Sequence, residues 1–146
     1  MNVTTYRDPL ELSIAIAQNR AKALVLWEME TKKQEMSQFI KKIPSLSPDV
    51  LKSELAELIE LGLVSRVVHV KKKSQFVEYA LTNRGAQLLK CLRKMMNIGI
   101  EVMMDYGMSE LLVEDGYIEK VEIEEEEEEF IEDEFYDDEE IDECEE

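Results

Sequence analysis

Apolar residues along the first hundred positions follow two rhythms, and each predicts its own kind of element. Met1 to Arg7 reads as an arm. Asp8-Pro9 then offers an N-cap followed by proline at the first helical position, and Leu10, Leu12, Ile14, Ile16 and Ala17 begin a first helix. Ala21 to Met29 continues with Ala23, Leu24, Leu26 and Trp27, so a second helix is expected, broken from the first near Asn19-Arg20, with Trp27 in the core. Met36, Phe39, Ile40 and Ile43 stand at i, i+3, i+4 and i+7, one face of a short helix that ends before Pro44. After the turn Pro44-Ser45-Leu46, Ser47 is an N-cap, Pro48 takes N1 and Asp49 sits at the positive end of the dipole. Leu51, Leu55, Leu58 and Ile59 then face inward until Gly62, placed for a left-handed C-cap with Leu63 packing back over the last turn.

Beyond Gly62 the period changes to two. Val64 to Val70 is rich in β-branched residues, and Val77, Tyr79 and Leu81 alternate with polar or small ones. Lys71-Lys72-Lys73-Ser74 separates them, so two strands joined by a basic loop are expected. Thr82-Asn83 cap a long helical run in which Ala86, Leu89, Leu92, Met96, Gly99, Met103 and Tyr106 recur at threes and fours. From Met108 to Lys120 a weak pattern interrupted by Gly116 specifies no element. Two short helices joined by a turn, then a hairpin with a charged tip, form a winged helix-turn-helix. The expected fold is mainly α (α+β). Residues 1–112 would be the winged domain with its terminal dimerisation helices, and residues 113–146 an acidic low-complexity tail.

The motif Ser47-x-x-x-Leu51-x-x-x-Leu55-x-x-Leu58-x-x-x-Gly62-Leu63-Val64-x-Arg66, followed by Val77-Glu78-Tyr79-x-Leu81-Thr82-x-x-Gly85, resembles the HxlR family of bacterial and archaeal transcriptional regulators. The resemblance extends over about 70 residues, from Ala23 to Leu92. It implies a homodimer packed through its first and last long helices, double-stranded DNA as partner, and a recognition helix after Ser47 entering the major groove. It implies also that the wings touch flanking phosphates.

Charge sharpens that expectation. Met1 to Ile100 holds 16 Lys and Arg against 10 Asp and Glu, whereas Val121 to Glu146 holds 18 carboxylates and neither Lys nor Arg, so the overall −17 joins a basic body to an acidic tail. A basic body suits the phosphate backbone, and a tail imitating that charge would compete for the same surface. Candidate DNA-binding residues are Ser47, Asp49, Lys52 and Ser53 on the recognition helix, with Arg66, Lys71, Lys72 and Lys73 on the wing. The outward face of that helix is Asp49, Lys52, Ser53, Ala56 and Glu60, with a single cation. Glu54, Glu57 and Glu60 depart from the family's usual basic or amide-bearing helix and would repel phosphates. In the long helix Met95, Met96, Met103 and Met104 suit an adaptable interface.

Other chemistry is sparse. Cys91 and Cys144 are expected as free thiols, Cys91 buried within its helix. Many regulators of the family sense oxidants through a cysteine near the N-terminus, and here none precedes Cys91. His69, the sole histidine, reads as a strand residue without a catalytic partner. No nucleophile with its base, phosphate-cradling glycine loop or metal-ligand cluster appears, so no enzymatic activity, cofactor or metal is expected. Divalent cations would condense only loosely on Glu124–Glu129.

No stretch resembles a signal peptide or a bilayer span, which predicts a soluble, cytoplasmic protein without membrane contact. Phe130-Ile131, Phe135-Tyr136 and Ile141 interrupt the tail's acids and suggest docking on a basic protein partner. As a flexible chain the tail would span roughly 28 Å, enough to cover Lys71–Lys73 and the recognition helix. Two readings stay open: a regulator whose tail modulates DNA binding, or a winged-helix interaction module that has lost base readout and uses the tail as a nucleic-acid mimic.

Overall fold

The computed structural model describes residues 1–119; the acidic tail, with Cys144 and the tail's aromatic residues, lies outside the described residues. The chain divides into two units between Glu101 and Val102. In the first, residues 3–5 form a single 3-10 turn where an arm is expected. Helix α1 spans Pro9–Gln18, with Asp8 capping the backbone N–H of Glu11 at 2.8 Å. Asn19 ends α1 and starts α2, Arg20–Glu28, its side chain accepting from the Lys22 backbone N–H at 3.1 Å. The break expected at Asn19-Arg20 is therefore one residue serving two helices.

Helices α3, Met36–Lys42, and α4, Pro48–Glu60, form the helix-turn-helix. Ser47 caps α4 by accepting from the Val50 N–H at 3.2 Å, and Pro48 fills N1, where no N–H is needed. At the other end Gly62 takes φ +72°, and the Leu63 N–H reaches back to the Leu58 carbonyl at 2.9 Å, closing the helix end as its glycine predicts.

Strands β1, Val64–Lys71, and β2, Ser74–Leu81, pair antiparallel from Val64 opposite Leu81 to Lys71 opposite Ser74. Only Lys72 and Lys73 remain as the turn, a tighter tip than the four-residue loop expected, and Lys72 accepts φ +49° to make it. A third segment joins the sheet unannounced by any apolar run: Gln34 bridges Tyr79, with reciprocal backbone bonds of 2.9 and 2.7 Å. Its buried side chain donates through Nε2 to the Glu28 carbonyl at 2.9 Å.

Helix α5, Asn83–Asp105, follows the hairpin. Its start is held by Thr82, whose hydroxyl donates to the Gly62 carbonyl at 2.6 Å and accepts from the Gly85 N–H at 3.1 Å. Gly85 is required by close approach, because a Cβ there would stand 2.0 Å from the Leu63 carbonyl oxygen. In the second unit, α6 covers Ser109–Glu114, the stretch for which the sequence specifies nothing.

The core of the first unit draws Val25, Leu26 and Met29 from α2 and its cap, Phe39 and Ile43 from α3 and its cap, Leu51, Leu55 and Leu58 from α4, then Leu63, Val64 and Leu89. A fully buried Leu or Phe contributes about 1.5–3 kcal/mol, so the three α4 leucines are the main anchor of that helix. Three sequence expectations fail here. Trp27 is 36% exposed, because α2 turns Val25 and Leu26 inward and Trp27 lies under the Arg93 guanidinium instead, 4.9 Å from carbon to ring centroid. Ile40 is also exposed, since a seven-residue helix needs only Phe39 and the flanking Met36 and Ile43 on its inner face. Cys91 is exposed on α5 rather than buried.

Candidate nucleic-acid interface

Burial of Leu51, Leu55 and Leu58 forces the opposite face of α4 outward. Asp49, Lys52, Ser53, Ala56 and Glu60 are all exposed, as the helical repeat predicts. Ser47 is exposed as well, but one of its acceptor lone pairs is committed to the cap. Its hydroxyl proton remains free to donate.

The three glutamates of α4 do not behave as a group. Glu60 is exposed, whereas Glu54 and Glu57 turn toward α2 and meet Lys22, whose side chain is only 2% exposed. Lys22 Nζ donates to Glu54 Oε2 at 2.5 Å and to Glu57 Oε2. The Met1 ammonium lies 3.0 Å from the other oxygen of Glu57, and Asn19 Nδ2 is 3.4 Å from both oxygens of Glu54. Burial works against the lysine's charge, but the hydrogen bonds and Coulombic attraction of the two carboxylates outweigh it and raise its pKa. The hydrogen bond from Lys22, then that from the Met1 ammonium, lowers the pKa of Glu57. Two carboxylates that the sequence set against phosphate are thus neutralised from within, and the expected repulsion shrinks to Glu60. A lysine inside an otherwise apolar helical stretch is the signal that points to this pairing. Its partners lie 32 and 35 residues away, beyond any local pattern.

On the wing, alternation sorts the side chains. Arg66, Val68 and Val70 share one face, and Val67, His69 and Lys71 the other. The candidate cations are therefore split: Arg66 stands with the partly exposed valines, while Lys71 lies with Nζ 5.9 Å from the Phe76 ring centroid. His69 stacks on the same ring at 4.6 Å and 17° between planes. Its Nε2 lies 2.7 Å from Glu78 Oε1 without the alignment of a hydrogen bond. Lys71, Lys72 and Lys73 are exposed together at the tip. The sequence did not single out Lys41 and Lys42, both exposed in the last turn of α3, where they favour the negative end of its dipole.

Among the described residues no helix is long and apolar enough to cross a membrane. A family profile for the HxlR-like helix-turn-helix matches residues 16–106. No curated protein matches the chain at a significant level. Among solved structures, the redox regulator HypR in its reduced form is 27% identical, with a TM-score of 0.60 over 70% of this chain and 99% of its own. Its oxidised form gives 26% identity and a TM-score of 0.58 over 64% and 96%. The reduced transcriptional regulator YodB from B. subtilis, 22% identical with a TM-score of 0.57 over 63% and 90%, shares the fold.

Proposed function

The chain belongs to the HxlR-like helix-turn-helix family, and from that premise we propose a DNA-binding transcriptional regulator that works as a homodimer. The observation that carries this reading is the exposed N-terminal half of α4, Asp49, Lys52 and Ser53, with Glu54 and Glu57 drawn away onto Lys22. Residues at that end of a recognition helix are the ones that reach base edges in the major groove. Lys52 donates to guanine or phosphate, and Asp49 accepts from cytosine. Arg66 and the tip Lys71–Lys73 supply backbone contacts that position the helix without reading sequence.

Unspent apolar surface supports the dimer. Leu10 and Ile14 of α1 are 70% and 53% exposed, and Met95 and Ile98 of α5 are 57% and 62% exposed. Side chains of this size left in water on two helices are what a second copy would cover. No cysteine precedes Cys91 in this sequence, so oxidant sensing through a cysteine near the N-terminus, expected of many family members, is not proposed for this chain.

For the acidic tail we propose competition with DNA for Lys71–Lys73 and the recognition helix. That would suppress binding to random sequence and leave only sites with good base contacts. The test measures binding of the full chain, and of a version ending at Lys120, to random and selected duplexes across a salt series. Selection of the same sequence by both, with tighter random binding by the shorter form, is the expected result. Equal random binding by the two forms removes the tail's role. Absence of duplex binding by either near physiological salt makes the fold a protein-docking scaffold, a reading favoured by the single outward cation of α4, Lys52.

A further inference from the structure

A hollow of about 290 Å³ opens beside the first half of α5, lined by Glu30, Leu81, Ala86, Leu89, Lys90 and Arg93. The proposed DNA contacts include none of these residues. Leu81, Ala86 and Leu89 make an apolar floor, and the volume approaches the lower end of small-molecule sites. Glu30, Lys90 and Arg93 supply the charged groups of the lining. Lys90 is exposed and makes no ion pair among the described residues. Arg93 is held in position by two contacts, the Trp27 ring on which its guanidinium rests and the Glu30 carboxylate that forms an ion pair with its Nη2.

We propose that this hollow binds a small organic carboxylate with a compact apolar body. Glu30 shows what the site accepts, since a carboxylate already lies against the guanidinium. A ligand carboxylate entering the hollow takes over that contact and gains Lys90 as a second cation. Glu30 is half-exposed and returns to water, so the exchange does not strand a buried charge. The Trp27 ring, 4.9 Å from the guanidinium carbon, already holds Arg93 beside the hollow, which spares the ligand part of the cost of ordering it. The apolar body covers Ala86, Leu81 and Leu89. Leu81 is the last residue of β2 and pairs with Val64, so an occupant rests against the base of the wing.

The sole tryptophan of the chain is Trp27, which makes its fluorescence a direct reporter. The full chain is titrated with 3-phenylpropionate, with 3-phenylpropanamide and acetate as controls, by fluorescence and by calorimetry. Saturable binding is expected with a Kd on the order of 1 mM or tighter, and each control should bind about tenfold more weakly or worse. Lys90→Gln and Arg93→Gln should each weaken binding by about tenfold with the circular dichroism unchanged. Ala86→Leu, which fills the hollow, should abolish it. Should Arg93→Gln or Ala86→Leu unfold the chain, Lys90→Gln on its exposed side chain decides alone. The proposal is overturned if neither method shows saturation, if the amide binds as well as the acid, or if Lys90→Gln leaves the affinity unchanged. Because the readout is ligand binding, failure here leaves the DNA-binding reading untouched, and the reverse also holds.

Discussion

Lys22 on α2 holds Glu57 on α4, a buried ammonium bonded to a carboxylate that the sequence places on the recognition helix. With Glu54 completing the cluster, the scaffold helix sets the rotation of the helix proposed to read DNA.

Removing the ammonium should therefore be costly. Lys22→Ala is expected to destabilise the fold by about 3 kcal/mol, near the lower end for broken buried pairs because Glu54 and Glu57 keep partial access to water. Replacing all three at once, Lys22→Met with Glu54→Leu and Glu57→Met, should recover most of that loss. Urea unfolding of the single and triple variants checks both statements.

The cluster also sets a pH window. The lowered pKa of Glu57 gives stability that is fully present above the ordinary carboxylate range and is lost as pH falls through the folded value. The raised pKa of Lys22 works oppositely, giving stability that is present below the ordinary lysine range and lost as pH rises through the folded value. A plateau between the two ranges is expected. Glu57→Gln should flatten the acid limb in urea midpoints measured across pH.

Two glycines of the hairpin base should differ sharply. Gly85→Ala places a methyl group against backbone and is expected to cost about 3 kcal/mol or more, as an overpacked site that only backbone movement relieves. Gly62→Ala meets mainly the flexible end of Arg84 and carries the left-handed penalty of about 1–2 kcal/mol. Thermal unfolding of the two variants should rank them in that order.

DNA binding should separate reading from holding. Lys52→Ala and Ser53→Ala are expected to relax discrimination between selected and altered duplexes by about 1–3 kcal/mol. Lys72→Ala and Lys73→Ala should weaken all duplexes alike and each reduce the salt slope by about one unit. Equilibrium titrations at several salt concentrations distinguish the two patterns.

The proposed dimer makes its own demand. Ile98→Glu, on an exposed position of α5, should weaken self-association by about 2–3 kcal/mol, on the order of a hundredfold in Kd. Sedimentation of the variant at several concentrations should show monomer where the parent is dimeric, with unfolding midpoints of the monomer little changed.

Much of this architecture is legible in the chain because its punctuation is local. Ser47-Pro48 and Gly62 mark both ends of α4, and the change of period after Gly62 marks the wing. What escapes is whatever depends on distant partners. Trp27 reads as core until Arg93, 66 positions later, supplies a cation for its ring. Glu54 and Glu57 read as hostile to phosphate until Lys22 is seen to claim them. Gln34 joins the sheet through its backbone alone, so no apolar alternation announces it. The exposed face of α4 follows from period alone, whereas the split of Arg66 from Lys71 rests on Lys71 belonging to β1, which the hairpin pairing fixes.

The hairpin is clamped more heavily at its base than at its tip. Leu63, Thr82 and Gly85 fix the base through backbone and hydroxyl bonds, while the two-residue turn at the tip is crossed by the Ser74 hydroxyl donating to the Lys71 carbonyl at 3.1 Å. Length can then change only by matched pairs, one residue added to each strand lengthening the wing by about 3.4 Å. Each such step turns the new tip side chains to the opposite face, and an unmatched single insertion bulges one strand and shifts its pairing. Lengthening a wing of this kind is therefore quantised: one added pair extends its reach but reverses where its lysines point, and two restore their direction.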